Sequence, residues 1–451
     1  MEDVLLVTVD SLRADHISGL GYNREVTPVI DEFAANGHSF TQTFAHACST
    51  RPSFPSILSS SHALMHGGFE MMTDGRTMVA EVFDDAGYHT GGFHSNLYLS
   101  ADFGYDRGFD TFYDSKTDPG FTARIRQLVK DTLDDEGYLY QFLASVFDTA
   151  ERKAGINIGS AYDTATEITD SALDFVNGDT TDGPHFLWVH YMDVHHPYVP
   201  PTEYQRLFRD DPISESRSIK LRRKMIEEPE RVTDKELKDI IDLYDAEIRY
   251  TDAEIGRLIE QVTDAWGGEP VTIITADHGE EFLEHGQFSH YTHFHDEVMQ
   301  VPLFLGGVSG SGEHNEIVGL QDVPATLVDY AGLDQPEAFQ GWSLRRIVEG
   351  EEWPREYVIG DWSDRKGEDR FGYRDTDWKF VRRDSGEELY HLPDDPDEHE
   401  NVIDEYPNVV KRLAEKIDEH ERAIASTTDT QVTVEMDEDV KARLRDLGYK
   451  E

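Results

Sequence analysis

Three stretches of this chain, Val4–Val9, Phe186–His190 and Val271–Ala276, are nearly continuous apolar runs without the polar alternation of a half-exposed strand. A strand apolar on both sides must be covered on both sides, which predicts the interior of a parallel sheet with helices on each face. The intervening sequence supplies those helices. Helical spacing runs over Pro28–Asn36, stopped by Gly37, over Thr77–Ala86, stopped by Gly87, and over Asp163–Phe175 and Val323–Ala331. In Ile240–Val262 the residues Tyr244, Ile248, Thr251, Ile255 and Leu258 share one face and read as core. His38–Phe44, Tyr88–Phe93 and Val301–Leu305 read as further strands. Strands alternating with helices define a doubly wound α/β fold.

In such sheets ligands sit beyond the carboxyl ends of the strands. The first run ends in Asp10, the third in Asp277-His278-Gly279, and the second leads into Asp193-Val194-His195-His196-Pro197. An Asp at a strand end serves either as a metal ligand or as a cap on the next turn. Two carboxylates, an imidazole and a hydroxyl make a chemically reasonable set for a divalent ion. Nine of the 20 histidines fall between His185 and His295, more than an even scatter would place there. Histidine is both a metal ligand and the natural general acid near neutral pH. The Cys48-Ser49-Thr50-Arg51-Pro52-Ser53 stretch reads as a helix start. Pro suits a first turn, and Thr50 or Arg51 is the expected cap. A hydroxyl there lies beside free N–H groups and the positive end of the helix dipole, where an oxyanion is stabilised.

With 91 acidic against 41 basic residues the net charge is -50, spread along the whole chain. Self-repulsion of this size calls for screening, so adaptation to high salt is expected, and nucleic acid and anionic membranes are disfavoured as partners. Cys48 is the single cysteine, so no internal disulfide forms, and a reducing, cytoplasmic setting is expected. No run reaches the roughly 20 apolar residues needed to span a bilayer. The character of the sequence changes near 345. Tyr357–Gly360, Trp378–Arg382 and Glu388–Leu392 read as short antiparallel strands and Pro407–Ala423 as a helix. This divides the chain into a larger α/β domain, 1–345, with helical insertions near 115–155 and 203–240, and an α+β subdomain, 346–451.

The chain resembles the sulfatase family of the alkaline phosphatase superfamily. The likeness is carried in order by Val9-Asp10-Ser11-Leu12-Arg13-Ala14-Asp15-His16, Thr27-Pro28, Thr50-Arg51-Pro52-Ser53 and Asp193-Val194-His195-His196-Pro197-Tyr198. It continues through Tyr244-Asp245-Ala246-Glu247-Ile248-Arg249-Tyr250, Asp277-His278-Gly279-Glu280, Glu284-His285-Gly286, Val301-Pro302-Leu303, and Glu388-Leu389-Tyr390 with Asp395-Pro396. The resemblance implies an α/β/α sandwich with a mostly parallel central sheet and a small C-terminal antiparallel sheet. It implies a divalent metal, Mn, Zn, Mg or Ca, beside a nucleophile at a helix N-terminus. Asp10, Asp277, His278 and Thr50 would be ligands, with Thr50 also the nucleophile. His195 would be the leaving-group acid or an anion binder, and His290 would line the anion pocket. Asp193, His195 and His290, with Arg51 and Asn96, are candidates for a second metal or for anion binding.

The chain departs from the family pattern at several of these positions. Sulfatases carry C-x-P-x-R, whose Cys or Ser becomes formylglycine. Aligned on Pro52, that position holds Thr50, the Arg position holds Phe54, and Cys48 sits two residues early. Ser11 replaces the family's second Asp, His278 its usual Asn, and His290 a common sulfate-binding Lys. A Thr nucleophile is more similar to the family's phosphoester and phosphonate hydrolases. The expectation is therefore a metal-dependent hydrolase of phosphate esters or diesters in preference to sulfate esters, acting on a small molecule, a glycan or a lipid headgroup. Alternatives are a true arylsulfatase-like enzyme, a phospho-headgroup transferase, and a non-catalytic binding protein of the same fold.

Overall fold

A computed structural model describes residues 1–115, 162–178, 183–290, 293–364 and 367–427. Most of the insertion expected near 115–155, and the chain after 427, lie outside the described residues. The main sheet contains strands β1 (Val4–Val9), β2 (His38–Phe44), β3 (His89–Phe93), β4 (Thr111–Tyr113) and β5 (His185–Tyr191). It also contains β6 (Val271–Ala276), β9 (Leu303–Gly306) and β10 (Gly312–Gly319), and a two-stranded hairpin, β7 (Glu281–Phe282) with β8 (Phe288–Ser289), stands apart. The spatial order is β10-β2-β9-β6-β1-β5-β3-β4. All neighbours are parallel except β9, which runs against both β2 and β6. The three apolar runs are thus adjacent at the centre, β6-β1-β5, and every residue of β1 and β6 is buried.

Helices α1 (Pro28–Asn36), α2 (Thr50–Ser59), α3 (Val79–Asp85), α4 (Ala165–Gly178), α5 (Thr202–Phe208), α6 (Glu215–Glu227), α7 (Asp234–Trp266) and α8 (Asp322–Tyr330) accompany the sheet. The face of α7 expected to be core is buried throughout. This helix starts six residues earlier than its apolar periodicity, at a capping box in which Thr233 Oγ1 accepts from Glu236 N while the Glu236 carboxylate accepts from Thr233 N. The cap of α2 is Ser49 rather than Thr50 or Arg51, so Thr50 is the first helical residue. Ser49 is extended, with φ −160° and ψ 162°, the backbone an N-cap requires.

The C-terminal sheet has four antiparallel strands in sequence order, β11 (Val358–Ser363), β12 (Asp369–Arg374), β13 (Trp378–Arg383) and β14 (Gly386–His391). The sequence reading had missed β12. Helix α9 (Pro407–Ser426) covers this sheet by burying Leu413 and Ile417 against Ile359, Phe371, Tyr373, Phe380 and Leu389.

Candidate active site

The pairing of β1 with both β5 and β6 brings three strand ends into line: Val9 lies opposite Tyr191 on one side and Ala276 on the other. Asp10 follows β1, Asp277 and His278 follow β6, and His190 is the penultimate residue of β5. All four side chains are fully buried. Ser11 takes a left-handed backbone, φ 58°, which lets its N–H donate to Asp277 Oδ1 at 3.2 Å while its hydroxyl donates to Asp10 Oδ1 at 2.8 Å. The residue in the family's second Asp position therefore bridges the two carboxylates.

Thr50 closes the set. Its Oγ1 donates to Asp10 Oδ2 at 3.1 Å and lies 3.3 Å from His278 Nε2. Asn96, after β3, donates to the same Asp10 oxygen at 3.3 Å. His278 Nδ1 lies 2.8 Å from the Gly279 carbonyl, an acceptor only, so Nδ1 carries a proton, and Nε2 faces Asp10 and Asp277 at 3.7 and 3.5 Å. Gly279 is required where it stands, because a Cβ there would lie 2.1 Å from the Glu297 carbonyl oxygen.

The electrostatics are those of a cation site. Burial and the neighbouring Asp10 push the Asp277 carboxyl well above the usual carboxylate range. Burial also opposes ionisation of Asp10, but His195, His190 and His278 around it hold it far below that range. Asp277 Oδ2 is buried and accepts no hydrogen bond. Donor atoms of Asp10, His190 and Asp277 lie within 4.8 Å of one another. Two crowded carboxylates, an unsatisfied carboxylate oxygen and an imidazole whose Nε2 points inward fit a divalent metal. His190 escaped the sequence reading. Its Nδ1 lies 3.0 Å from Thr8 Oγ1 and its Nε2 3.6 Å from Asp10 Oδ2. The available signal was a His at the end of a buried strand, but only the β1–β5 pairing puts it beside Asp10.

The remaining candidates divide. His195 packs on His290 with ring centroids 5.3 Å apart, and His290 on His278 at 4.2 Å. Burial pushes His195 down to about 4, opposed by Asp10. His290 Nδ1 pairs with Glu280 Oε1 at 3.0 Å, and Tyr198 donates to the other oxygen of Glu280 at 3.0 Å, which fixes the His290 ring. Glu280 is a second residue the sequence reading left without a role. Asp193 accepts the Ala165 N–H at the start of α4 with one oxygen and has no hydrogen-bond partner on the other. Arg51 turns to Glu70, 3.0 Å away, and over the rings of Tyr98 and Phe103. Cys48 is buried in the apolar core, where desolvation pushes its thiol up to about 12.

Comparison with known proteins identifies the family. The sulfatase family model matches residues 2–333, and a model described as N-sulphoglucosamine sulphohydrolase, C-terminal, matches residues 283–423. An arylsulfatase of Clostridium perfringens is 25% identical over 443 residues, 89% of this chain and 90% of that one. The uncharacterized sulfatase YidJ of Escherichia coli is 24% identical over 412 residues, 84% of this chain and 78% of that one. Among solved structures, an enzyme in complex with its substrate D-glucosamine-2-N,6-O-disulfate superposes with a TM-score of 0.72 at 17% identity, covering 96% of this chain and 100% of the other. The phosphonate monoester hydrolase of Agrobacterium radiobacter superposes at 0.69 with 20% identity, covering 97% and 99%. The chain belongs to the sulfatase family and is an ester hydrolase.

Proposed function

We propose that this enzyme cleaves phosphate mono- or diesters through a covalent intermediate on Thr50, with Asp10, Asp277 and His278 holding a divalent ion. The observation that carries the reading is the placement of Thr50 Oγ1, on the first residue of α2, within 3.1 Å of Asp10 Oδ2 and 3.3 Å of His278 Nε2. A divalent ion in this set supplies positive charge that favours the Thr50 alkoxide and offsets charge on the bound ester. The helix N-terminus adds the field of its free N–H groups. With the ion bound the Thr50 hydroxyl would give up its proton to solvent; Thr50 Oγ1 forms the bond to phosphorus, and the alcohol oxygen departs with the electron pair of the broken P–O bond and takes a proton from His195. Burial keeps His195 neutral in the free enzyme, and the negative charge of an arriving phosphate favours its protonation. Water then attacks the phosphothreonine while neutral His195 takes its proton. Phosphate leaves and the Thr50 oxygen is restored. His290, oriented by Glu280, would line the anion pocket.

Phosphate is favoured over sulfate because formylglycine releases sulfate by hemiacetal collapse, a route closed to Thr. Phe54 and His290 replace the Arg and Lys of the sulfate pattern. The sulfate-ester reading keeps support from the family itself and from the arylsulfatase relative that matches along nearly its whole length. Turnover of an aryl phosphate, a bis-aryl phosphate and an aryl sulfate, in high salt with Mn, Zn, Mg or Ca, separates the two. Preference for the sulfate, with an intact mass showing Cys48 converted to the aldehyde, would overturn the phosphate reading.

A further inference from the structure

Behind the catalytic loop lies a second set of donors. Glu280 turns to His290, whereas its neighbour Glu281 turns away, to His293. Glu281 Oε1 is held by the N–H groups of His285 and Gln287, at 3.0 and 2.8 Å, which aims Oε2 at His293 Nε2, 2.5 Å away. Glu297, beside them, has its Oε1 3.3 Å from His285 Nε2. The donor atoms of Glu281, His293 and Glu297 lie within 4.8 Å of one another. The Glu281 and His293 side chains are 0% and 6% exposed, and Glu281 Oε2 and Glu297 Oε1 meet only these histidine nitrogens. His295 stacks on His285 at 3.7 Å and 10°, which fixes the plane of that imidazole. His295 is itself occupied by Glu398, 3.0 Å from its Nδ1, and Glu398 in turn by Lys379.

We propose that His285, His293, Glu281 and Glu297 bind a second divalent ion of the first transition row, zinc by preference, separate from the Asp10 set. Two imidazoles with two carboxylates are borderline donors that suit zinc better than calcium or magnesium. Donors on a shared tetrahedral ion lie about 3.3 Å apart, and the His285–Glu297 pair already stands at 3.3 Å and the Glu281–His293 pair at 2.5 Å. The backbone bonds that hold Glu281 Oε1 are the orienting contacts a built ligand needs. His285 and Glu297 also line a groove of about 610 Å³ with Arg13, Glu284 and His399, which gives an ion a route in. The ion would staple the β7–β8 hairpin to the 293–297 segment and so fix the loop that carries His278, Glu280 and His290. The proposal does not depend on the chemistry of Thr50.

Metal analysis of untagged protein, loaded with zinc and dialysed, tests this. The double variant His285→Asn/His293→Asn should hold one equivalent of zinc fewer than the wild type, with its far-UV circular dichroism unchanged. Equal zinc in the two proteins overturns the proposal. Should the variant not fold, anomalous diffraction at the zinc edge from wild-type crystals decides. A peak between Glu281 and His293 supports the site and its absence refutes it, and a peak or none at Asp10 reports separately on the catalytic metal.

Discussion

Thr50 reaches Asp10 because Ser49, and not Thr50, caps α2. A capping Thr would spend its oxygen on the N–H groups of its own first turn, whereas a first-turn Thr has that oxygen available to a neighbour. Replacing Thr50 with Ala should lower kcat/KM by about 10²-fold or more, while Thr50→Ser should retain a measurable part. Undiminished turnover in the Ala variant would refute the covalent mechanism. His195 gives a sharper signature. General-acid help matters most when the departing alcohol is a poor leaving group, and such help is worth about 10²–10⁴-fold. His195→Asn should therefore slow alkyl phosphates far more than nitrophenyl phosphate. Equal losses on both would leave His195 as an anion binder. Prolonged chelation should abolish activity, and add-back of each divalent ion should show which one restores it.

At the scale of elements, the C-terminal sheet is joined to the main sheet through the stretch between β2 and α2. His46 Nδ1 lies 2.8 Å from the Ile359 carbonyl of β11, and the His46 carbonyl accepts Asp361 N at 2.9 Å. Asp361 accepts Ala63 N with one oxygen at 2.9 Å, and its other oxygen lies 2.7 Å from His420 Nε2 on α9. Burial, with Arg355 nearby, pushes His46 down to about 3. Its neutral form is the folded one, whereas the unfolded chain protonates it below about 6.5. The unfolded state therefore binds more protons in that window, and the stability His46 contributes is complete above pH 6.5 and declines as pH falls toward 3. Between pH 6.5 and 5 the loss should be about 2 kcal/mol. In His46→Gln, whose amide can still donate to Ile359, urea unfolding should show a correspondingly shallower pH dependence. An unchanged slope would mean that His46 is not a source of acid sensitivity.

For the whole molecule the dominant long-range term is the net charge of -50. The Debye length is about 10 Å at 0.1 M salt and about 3 Å at 1 M, so molar salt removes most repulsion between surface carboxylates. The melting temperature should rise steeply from 0.1 to 2 M KCl, and a non-ionic osmolyte of equal osmolarity should not reproduce the rise. A flat salt response would refute the proposed adaptation to high salt. Among the described residues no helix is long and apolar enough to cross a membrane.

The architecture was legible in the sequence because local rules write it there. Apolar runs of six residues rich in β-branched side chains are too short for buried helices and read as buried strands, and β1 and β6 match the predicted spans residue for residue. The ordered motifs led to the family, and strand-end logic singled out Asp10, Asp277 and His278, which the sheet does bring together. The short β12, and a helix start such as that of α7 with its charged first turns, carry little periodicity. Tertiary pairing decided the rest. His190 enters the site because β5 lies beside β1, a neighbour 180 residues away in sequence. Glu280 orients His290 and Glu281 faces His293 because the chain turns back on itself after β6. Periodicity reports which face of an element is apolar. Which polar groups then meet depends on strand order and loop closure, and these are set by packing across the whole sheet.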